Sequence, residues 1–216
     1  MNKRRFLTKE LLCRMAVALA VNLAAYYGGR LLSGKLTHHC LETGLDRAIP
    51  LLPWMIFFYW LGFFFWIVSY ARGLSLERGG RGRFLTAHIL GEIVCFLFFV
   101  LLPTTMSRPE VNGNGPGALL LRLTYRLDSA DNLFPSIHCF ASWLSWIGVR
   151  GDKRVPLKYR CLSLILALAV CASTLMVKQH VAVDAAAGIL LAEVSYLAAG
   201  AIVRRREARR ETAEAK

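Results

Sequence analysis

A group of polar residues begins the last long apolar run of the sequence. His180 and Asp184 lie four positions apart, just after Lys178. If the run is helical, residues four apart share one face, so the Asp184 carboxylate can hold the His180 imidazole in one tautomer. An imidazole oriented in this way can act as a nucleophile or as a general base.

Two further clusters contain residues that can bind or protonate a phosphoryl group. The guanidinium of Arg108 is permanently charged and can bind two oxygens of one phosphate. In the segment 131–138, Pro135 and Ser136 are typical of a helix start, where free backbone N–H groups bind anions. His138 lies in the same turn and can donate a proton to a leaving group. Each cluster alone is also typical of an anchor at a membrane surface, but their joint occurrence favours one site.

The residues around these clusters form apolar blocks. The chain is 56% hydrophobic, and each block is close to the about 20 residues that cross a bilayer. We therefore predict an all-α, polytopic membrane protein with six transmembrane helices in one bundle (residues 1–203) and a basic cytoplasmic tail (204–216). A soluble helical bundle is the disfavoured alternative. The predicted spans are an uncleaved first helix ending at about Tyr27, then residues 51–70, 84–102, 136–149, 161–177 and 181–203.

The positive charges are distributed unevenly between the predicted loops. The net charge is +13, and nineteen of the 27 Lys and Arg residues fall on the side of both termini, against seven on the other. Because Lys and Arg favour cytoplasmic loops, we predict cytoplasmic termini and an extracytoplasmic site. An integral protein of a bacterial plasma membrane, surrounded by membrane lipids, is expected. The pattern does not indicate a nucleic-acid partner, and it leaves the oligomeric state undetermined.

Neither the cysteines nor the histidines predict a metal site. The six cysteines occur singly, without the close pairs of a zinc site or a disulfide framework. His38 and His39 lack further ligands at metal spacing, and no carboxylate cluster suits a two-metal centre. We therefore expect neither a metal nor a cofactor. Ionisable residues inside the predicted spans are expected to form a packing network between helices; they are Arg14, His88, Glu92 and Glu193.

In this order, the three clusters resemble the type 2 phosphatidic acid phosphatase/haloperoxidase superfamily, in its membrane lipid phosphatase branch. The family pattern is a Lys separated by six residues from Arg-Pro, then Pro-Ser-Gly-His, then Ser-Arg-x5-His-x3-Asp. The resemblance covers residues 101–188 approximately. The matching residues here are Arg108-Pro109, then Pro135-Ser136-Ile137-His138, then Ser173-Thr174 through His180 to Asp184.

Three positions depart from the family pattern. The first Lys of the family falls at Leu101, its glycine at Ile137 and its second Arg at Thr174. Two phosphate-binding cations are therefore missing from their usual positions. Lys178 could supply one of them, and the sequence around it looks like a subgroup with inositol phosphorylceramide synthase-like members.

The resemblance implies a metal-independent phosphatase that hydrolyses a lipid phosphate or a polyprenyl diphosphate through a phosphohistidine. His180 would attack phosphorus, Asp184 would orient it, and His138 would protonate the leaving alkoxide. The phosphoryl oxygens would be held by Arg108, Ser136 and Lys178. Two alternatives stay open: a lipid headgroup phosphotransferase, and a catalytically silent membrane protein that binds or transports lipid.

Overall fold

The structure, a computed structural model, describes residues 8–214, and helices dominate it, so the all-α prediction is confirmed. Two short strands, β1 (His39–Cys40) and β2 (Thr104–Thr105), pair in parallel, and a 3₁₀ turn (Pro53–Met55) precedes the third helix. The helices are α1 (Lys9–Ser33), α2 (Gly44–Ala48), α3 (Ile56–Leu74), α4 (Arg78–Leu101), α5 (Pro116–Leu127), α6 (Ile137–Arg150), α7 (Leu157–Met176) and α8 (Ala182–Glu214).

Five helical segments in the described part of the chain are long and apolar enough to cross a membrane. They are α1, α3 with its preceding 3₁₀ turn, α4, α7 and α8. The predicted span 136–149 corresponds to α6, which has only 14 residues, whereas a spanning helix needs about 20. The prediction of six spans is therefore not confirmed, because the bundle combines five helices of spanning length with one shorter helix.

The short helix α6 lies in the middle of the bundle. It packs against α3, α4, α7 and α8, and its Phe140, Leu144 and Ile147 are almost fully buried. In contrast, every helix of spanning length exposes several large apolar side chains, and α6 exposes none. A helix that is surrounded by protein does not have to match the thickness of a bilayer, so its length is compatible with a central position.

Small residues allow α8 to approach α6 closely. The face of α8 that packs into the bundle carries Ala185, Gly188 and Ala192 at helical spacing. A Cβ atom at Gly188 would lie only 2.4 Å from the carbonyl oxygen of Ser136. Close backbone contact through small residues is typical of helix packing in membranes.

The outer surface of the bundle is apolar on most sides. The exposed fractions of Leu31, Phe64 and Leu190 are 83%, 68% and 64%, and similar residues occur on each long helix. Exposure of such an extensive apolar surface to water is costly in free energy, whereas contact with lipid chains is not. The long apolar helices and this surface indicate a membrane-embedded protein.

The loops that bear the three polar clusters meet at one end of the bundle, which we call the site end (residues 34–55, 102–136 and 177–181). There β1 pairs with β2, and the amide of Leu52 donates to the carbonyl of Met176 at 2.9 Å. At the opposite end, Arg154 forms a salt bridge with Glu77. There α8 continues as a helix to Glu214, through most of the predicted tail.

Two separate clusters hold the ionisable residues inside the bundle. Glu92 accepts a hydrogen bond from Asn22 at 2.9 Å, and His88 lies 3.0 Å from the Tyr70 hydroxyl, which joins α1, α3 and α4. Hydrogen-bonded polar contacts of this kind hold helices together in an apolar environment.

The other predicted members do not belong to that cluster. Glu193 instead binds Arg150 with two hydrogen bonds of 2.6 and 2.9 Å, which joins α8 to α6. Arg14 pairs with Glu10 within α1 at 2.7 Å. Glu193 therefore joins two helices, as expected, whereas the expectation is wrong for Arg14, because its partner lies in the same helix.

Replacement of Gly188 by alanine is expected to destabilise the bundle. The added methyl group would force α8 away from the Ser136 carbonyl, and such overpacking costs about 1–3 kcal/mol. The matched control is Gly151→Ala, because no atom lies within 4 Å of a Cβ there. Thermal unfolding in detergent should show a lower midpoint for the first variant and an unchanged midpoint for the second; equal midpoints would contradict this packing.

Candidate functional site

His180 and Asp184 form a buried pair where the α7–α8 turn enters α8. The Nδ1 atom of His180 lies 3.5 Å from an Asp184 carboxylate oxygen, and that oxygen also accepts from the Val181 amide at 3.0 Å. The turn is held by the Thr174 carbonyl, which accepts from the amides of Gln179 and His180 at 2.9 and 3.1 Å. The relative positions of the imidazole and the carboxylate are thus fixed by the backbone.

The environment of His180 has opposing effects on its protonation. Burial alone lowers the pKa of an imidazole, because the charged form loses its hydration. The hydrogen bond and the charge of Asp184 more than offset this, so the pKa of His180 is raised above its ordinary value. A higher pH is therefore needed to favour the neutral imidazole, which is the nucleophilic form, than for an imidazole with the ordinary pKa.

His138 lies on the other side of the His180 ring. Its Nδ1 atom is 3.4 Å from Nε2 of His180. Tyr59 of α3 stacks on the His138 ring, with the centroids 4.7 Å apart and the planes 28° apart, and Trp66 lies at 5.5 Å. The result is a linear arrangement of Asp184, His180 and His138, with its far end in an aromatic environment.

Arg108 is held beside this arrangement. Its guanidinium donates to the Asp128 carbonyl at 2.5 Å and to the side-chain oxygen of Gln179, and it lies over the Tyr125 ring at 4.7 Å. Within the described residues, the buried Nε of Arg108 and Nε2 of Gln179 have no hydrogen-bond acceptor. Buried donors normally have partners, so these two N–H groups are available to the oxygens of an anion.

Ser136 and Lys178 lie at the site, but their side chains have other partners. Ser136 is fully buried and its hydroxyl accepts from the Cys139 amide at 3.3 Å, which caps α6. The Lys178 ammonium donates to the carbonyls of Asp46 and Ile49 at 2.7 and 2.6 Å. In this arrangement neither side chain is directed at a phosphoryl group.

Asp46 of α2 is a site residue that sequence reasoning missed. One carboxylate oxygen accepts from the Ala182 amide at 2.6 Å, at the start of α8, and the other accepts from the Thr43 amide at 2.8 Å. Burial opposes ionisation of Asp46, but these hydrogen bonds outweigh it and lower the pKa. With the Lys178 contacts, α2 therefore holds the turn on both sides of His180.

A capping box was the only signal for this role in the sequence. Thr43 and Asp46 have the spacing of that motif, and both of its hydrogen bonds are formed. The motif predicts a local helix start, yet it contains no information about contact with Ala182, which lies far along the chain. Only the tertiary structure shows that contact.

The segment before α6 is held by tyrosines and by an ion pair. The Asp128 carboxylate accepts from the hydroxyls of Tyr26 and Tyr59 at 2.5 and 3.3 Å. Asp131 pairs with Arg30 at 3.1 Å, but burial dominates and raises the pKa of Asp131. These contacts tie α1 and α3 to the loop that carries Pro135 and leads into α6, where His138 lies.

The side chains at the positions of the missing family cations do not contribute to the site. Leu101 is 77% exposed at the end of α4. Thr174 is fully buried, and its hydroxyl donates to the Cys171 carbonyl at 2.8 Å. Of the cationic side chains at the site, Arg108 and Lys178 are the two that the sequence predicts, and Arg47 is a third.

A cavity of about 460 Å³ opens at the site end and reaches His180. Its polar lining includes the cations Arg47, Arg108 and Lys178 and the carboxylates Glu42 and Asp46, and its apolar lining includes Met106. His138 does not line it. A ligand in this cavity would therefore meet His180 and the cations first.

Within residues 8–214, no group of three His, Cys, Asp or Glu side chains is placed to hold a metal ion. All six cysteines are free. No family model, no curated protein and no solved structure matches the chain significantly. The family resemblance thus depends on the motif residues and their geometry alone.

Replacement of Asp184 by asparagine is expected to lower the pKa of His180. The carboxylate is what offsets the effect of burial, and an amide cannot supply its charge. Because the folded-state pKa is raised, the pair stabilises the fold at low pH, and this contribution is lost as pH rises through the raised pKa.

Titration of ring-labelled histidine by NMR measures this change. The exposed His39 serves as the internal control, since it lies away from Asp184 on β1. An unchanged His180 titration in Asp184→Asn would show that the carboxylate does not control the protonation of the imidazole.

Proposed function

We propose that this protein is a membrane lipid phosphatase that hydrolyses a lipid phosphate or a polyprenyl diphosphate through a phosphohistidine intermediate. The observation that carries the proposal is the order Asp184, His180, His138, with contacts of 3.5 and 3.4 Å. Arg108 lies beside it, and a cavity leads to it. An oriented nucleophile, a second imidazole and a fixed cation are the groups that phosphoryl transfer requires.

In the first step, Nε2 of His180 attacks phosphorus while Nδ1–H donates to Asp184. The bond from phosphorus to the lipid oxygen breaks, and His138 gives its proton to that oxygen. Asp184 stabilises the positive charge that develops on the imidazole. The products of this step are a lipid alcohol and a phosphohistidine.

In the second step, water attacks the phosphohistidine and His138 accepts its proton. The bond from phosphorus to Nε2 breaks, which releases inorganic phosphate and regenerates the imidazole of His180. The proton taken from the water restores the acid for the next cycle. If a lipid alcohol attacks instead of water, the same chemistry gives a phosphotransferase.

The phosphoryl group must separate the two imidazoles. Reacting atoms lie about 3–3.5 Å apart before attack, so the 3.4 Å between Nε2 of His180 and Nδ1 of His138 leaves no room for phosphorus. The cavity contains His180 and not His138 in its lining. We infer that the phosphoryl group enters from the cavity and displaces the His138 ring from His180.

The oxygens of the phosphoryl group would be bound by N–H groups of Arg108 and Gln179. Both side chains retain a buried donor without an acceptor among the described residues. Preorganised donors of this kind stabilise the charge of the transition state and usually contribute most to the rate. Lys178 would add its positive charge from the cavity wall without direct contact, since its hydrogen bonds go to α2.

The membrane arrangement is part of the same proposal. The chain would cross the bilayer six times, with α6 and its flanking turns making the fourth crossing inside the bundle. The termini would be cytoplasmic and the site extracytoplasmic, because most Lys and Arg lie at the end opposite the site. Substrate would reach the site from the surrounding leaflet.

A catalytically silent lipid-binding protein is the second candidate. It is favoured by the side chains of Ser136 and Lys178, which are bonded within the protein, and by the missing cations at positions 101 and 174. The intact arrangement of the two histidines and Asp184 counts against it. Phosphate release separates the two candidates.

Purified protein is expected to release inorganic phosphate from a panel of lipid phosphates in the presence of EDTA. His180→Ala should reduce the rate about a thousandfold or more, because the nucleophile is lost. His39→Ala is the control, since His39 is exposed on β1. Full activity in His180→Ala would refute the mechanism, and phosphate release only when a lipid alcohol is added would indicate a transferase.

Arg108→Lys is expected to reduce kcat/KM by about 10- to 100-fold. Lysine keeps the charge but loses the planar fork that binds two oxygens, which is worth about 1.5–3 kcal/mol. The control is Arg122→Lys, whose guanidinium binds the carbonyls of Val111 and Gly113 outside the site. Equal kinetics for the two variants would show that Arg108 does not contact the phosphoryl group.

A further inference from the structure

Helix α5 presents a row of leucines that no other part of the described chain covers. Leu119, Leu123 and Leu127 are spaced by four residues, so they share one face, and they are 53%, 48% and 66% exposed. Leu121 and Thr124 on the opposite side are buried. We call the three exposed leucines the leucine stripe.

Contacts at both ends show how α5 is placed. Near its start, a Cβ atom at Gly117 would lie 3.0 Å from Pro53 O and from Trp54 Cα. Near its end, the Trp60 indole donates to the Thr124 hydroxyl at 3.0 Å. Helix α5 therefore runs beside residues 53–60, in the same direction as that segment.

This placement sets the depth of the leucine stripe. The candidate span that contains α3 begins at Pro53, so α5 lies beside its first turns rather than above them. Trp54, Phe57 and Leu61 on the same stretch are 54%, 50% and 41% exposed. The leucine stripe is thus continuous in depth with the apolar surface of a membrane-spanning helix.

The charge at the border of the leucine stripe matches a lipid surface. Arg126 lies between Leu123 and Leu127 in sequence and is exposed. It has no salt bridge to a carboxylate in the part of the chain that the structure describes. A cation beside an apolar face is typical of helices at a membrane interface, where lipid phosphates are its counter-ions.

We propose that α5 is a partial membrane helix whose leucine stripe contacts the acyl chains of the leaflet at the site end. Leu119 lies nearest the headgroups and Leu127 deepest, and Arg126 reaches up to a lipid phosphate. The occupant of this surface is the phospholipid leaflet itself. A helix at that depth beside α3 is surrounded by lipid rather than by water.

Helix α5 also connects this leaflet to the site. The Tyr125 hydroxyl donates to the Val177 carbonyl at 2.7 Å, next to the turn that carries His180. The Tyr125 ring lies under the guanidinium of Arg108 at 4.7 Å. Resting on the proposed function, we infer that α5 holds the site within this leaflet, so that its substrate comes from this leaflet.

Depth-dependent quenching of a fluorescent label tests the insertion. The three exposed cysteines, Cys13, Cys40 and Cys161, are first replaced by serine. A single cysteine is then introduced at position 119, 123 or 127 and labelled with an environment-sensitive fluorophore. The protein would be placed in phosphatidylcholine/phosphatidylglycerol vesicles that contain lipids with a nitroxide near the headgroup or in mid-chain. The exposed Glu110→Cys in the preceding loop is the aqueous control.

The mid-chain nitroxide is expected to quench position 127 most and position 119 least. Iodide in the water should quench only position 110. Strong iodide quenching at all three leucine positions, with none by the lipid nitroxides, would overturn the proposal. Protection from both quenchers would do so as well, because it would indicate that protein covers the stripe.

A substrate comparison tests the link to the site. Leu123→Glu should reduce phosphate release from a long-chain lipid phosphate in vesicles on the order of tenfold, because a charge is unfavourable within the leaflet. Release from a water-soluble, short-chain phosphate should stay unchanged. Equal losses on both substrates would contradict the link. If the unaltered protein released no phosphate, the proposed function would fail, whereas the quenching result would still decide the insertion of α5.

Discussion

The buried contact between His180 and Asp184 is the interaction on which the site end depends. A charge removed from water is costly unless hydrogen bonds and an opposite charge replace its hydration. Both side chains are at most 5% exposed, so their partners must come from the protein. This turn is fixed by the Val181 amide and the Thr174 carbonyl, which are close to it in sequence, and by α2, which is far from it.

Three segments that are far apart in sequence are therefore needed to hold one imidazole. Residues 42–49 hold the turn through Asp46 and Lys178, and residues 102–109 supply Arg108. The first turn of α6 supplies His138, and the loop before it is fixed by the Thr104 hydroxyl, which accepts from the amides of residues 133 and 134 at 3.0 Å. Loss of any one contact would leave buried polar groups unpaired, which explains why such short elements as α2 and β2 are ordered.

The sequence predicts the parts of this structure that depend on local pattern. Hydropathy located the long helices, and the spacing of His180 and Asp184 predicted a pair that the structure places 3.5 Å apart. It does not predict α5, because the glycine-rich residues 113–117 are typical of a loop, although the leucines after them recur with a helical period. The contact between Asp46 and Ala182 could not be predicted, since it depends on how distant loops pack. The sequence also does not predict that α6 is shorter than a spanning helix. A helix that is enclosed by other helices has a length set by packing in the bundle and not by the thickness of the bilayer.

The contacts at the site fix the proposed nucleophile, but they leave few side chains free to bind the proposed phosphate. Asp184 and the turn fix His180 completely, whereas Lys178 and Ser136, the expected phosphate ligands, are bonded to carbonyls and to an amide. The donors that could still bind an anion are the buried Nε of Arg108 and Nε2 of Gln179, which have no acceptor among the described residues. Both are tied to the loop and turn that carry the histidines, so an anion that binds them would pull on the same backbone that sets the 3.4 Å separation of the imidazoles. In the proposed mechanism, binding of the phosphoryl group would therefore require separation of His138 from His180.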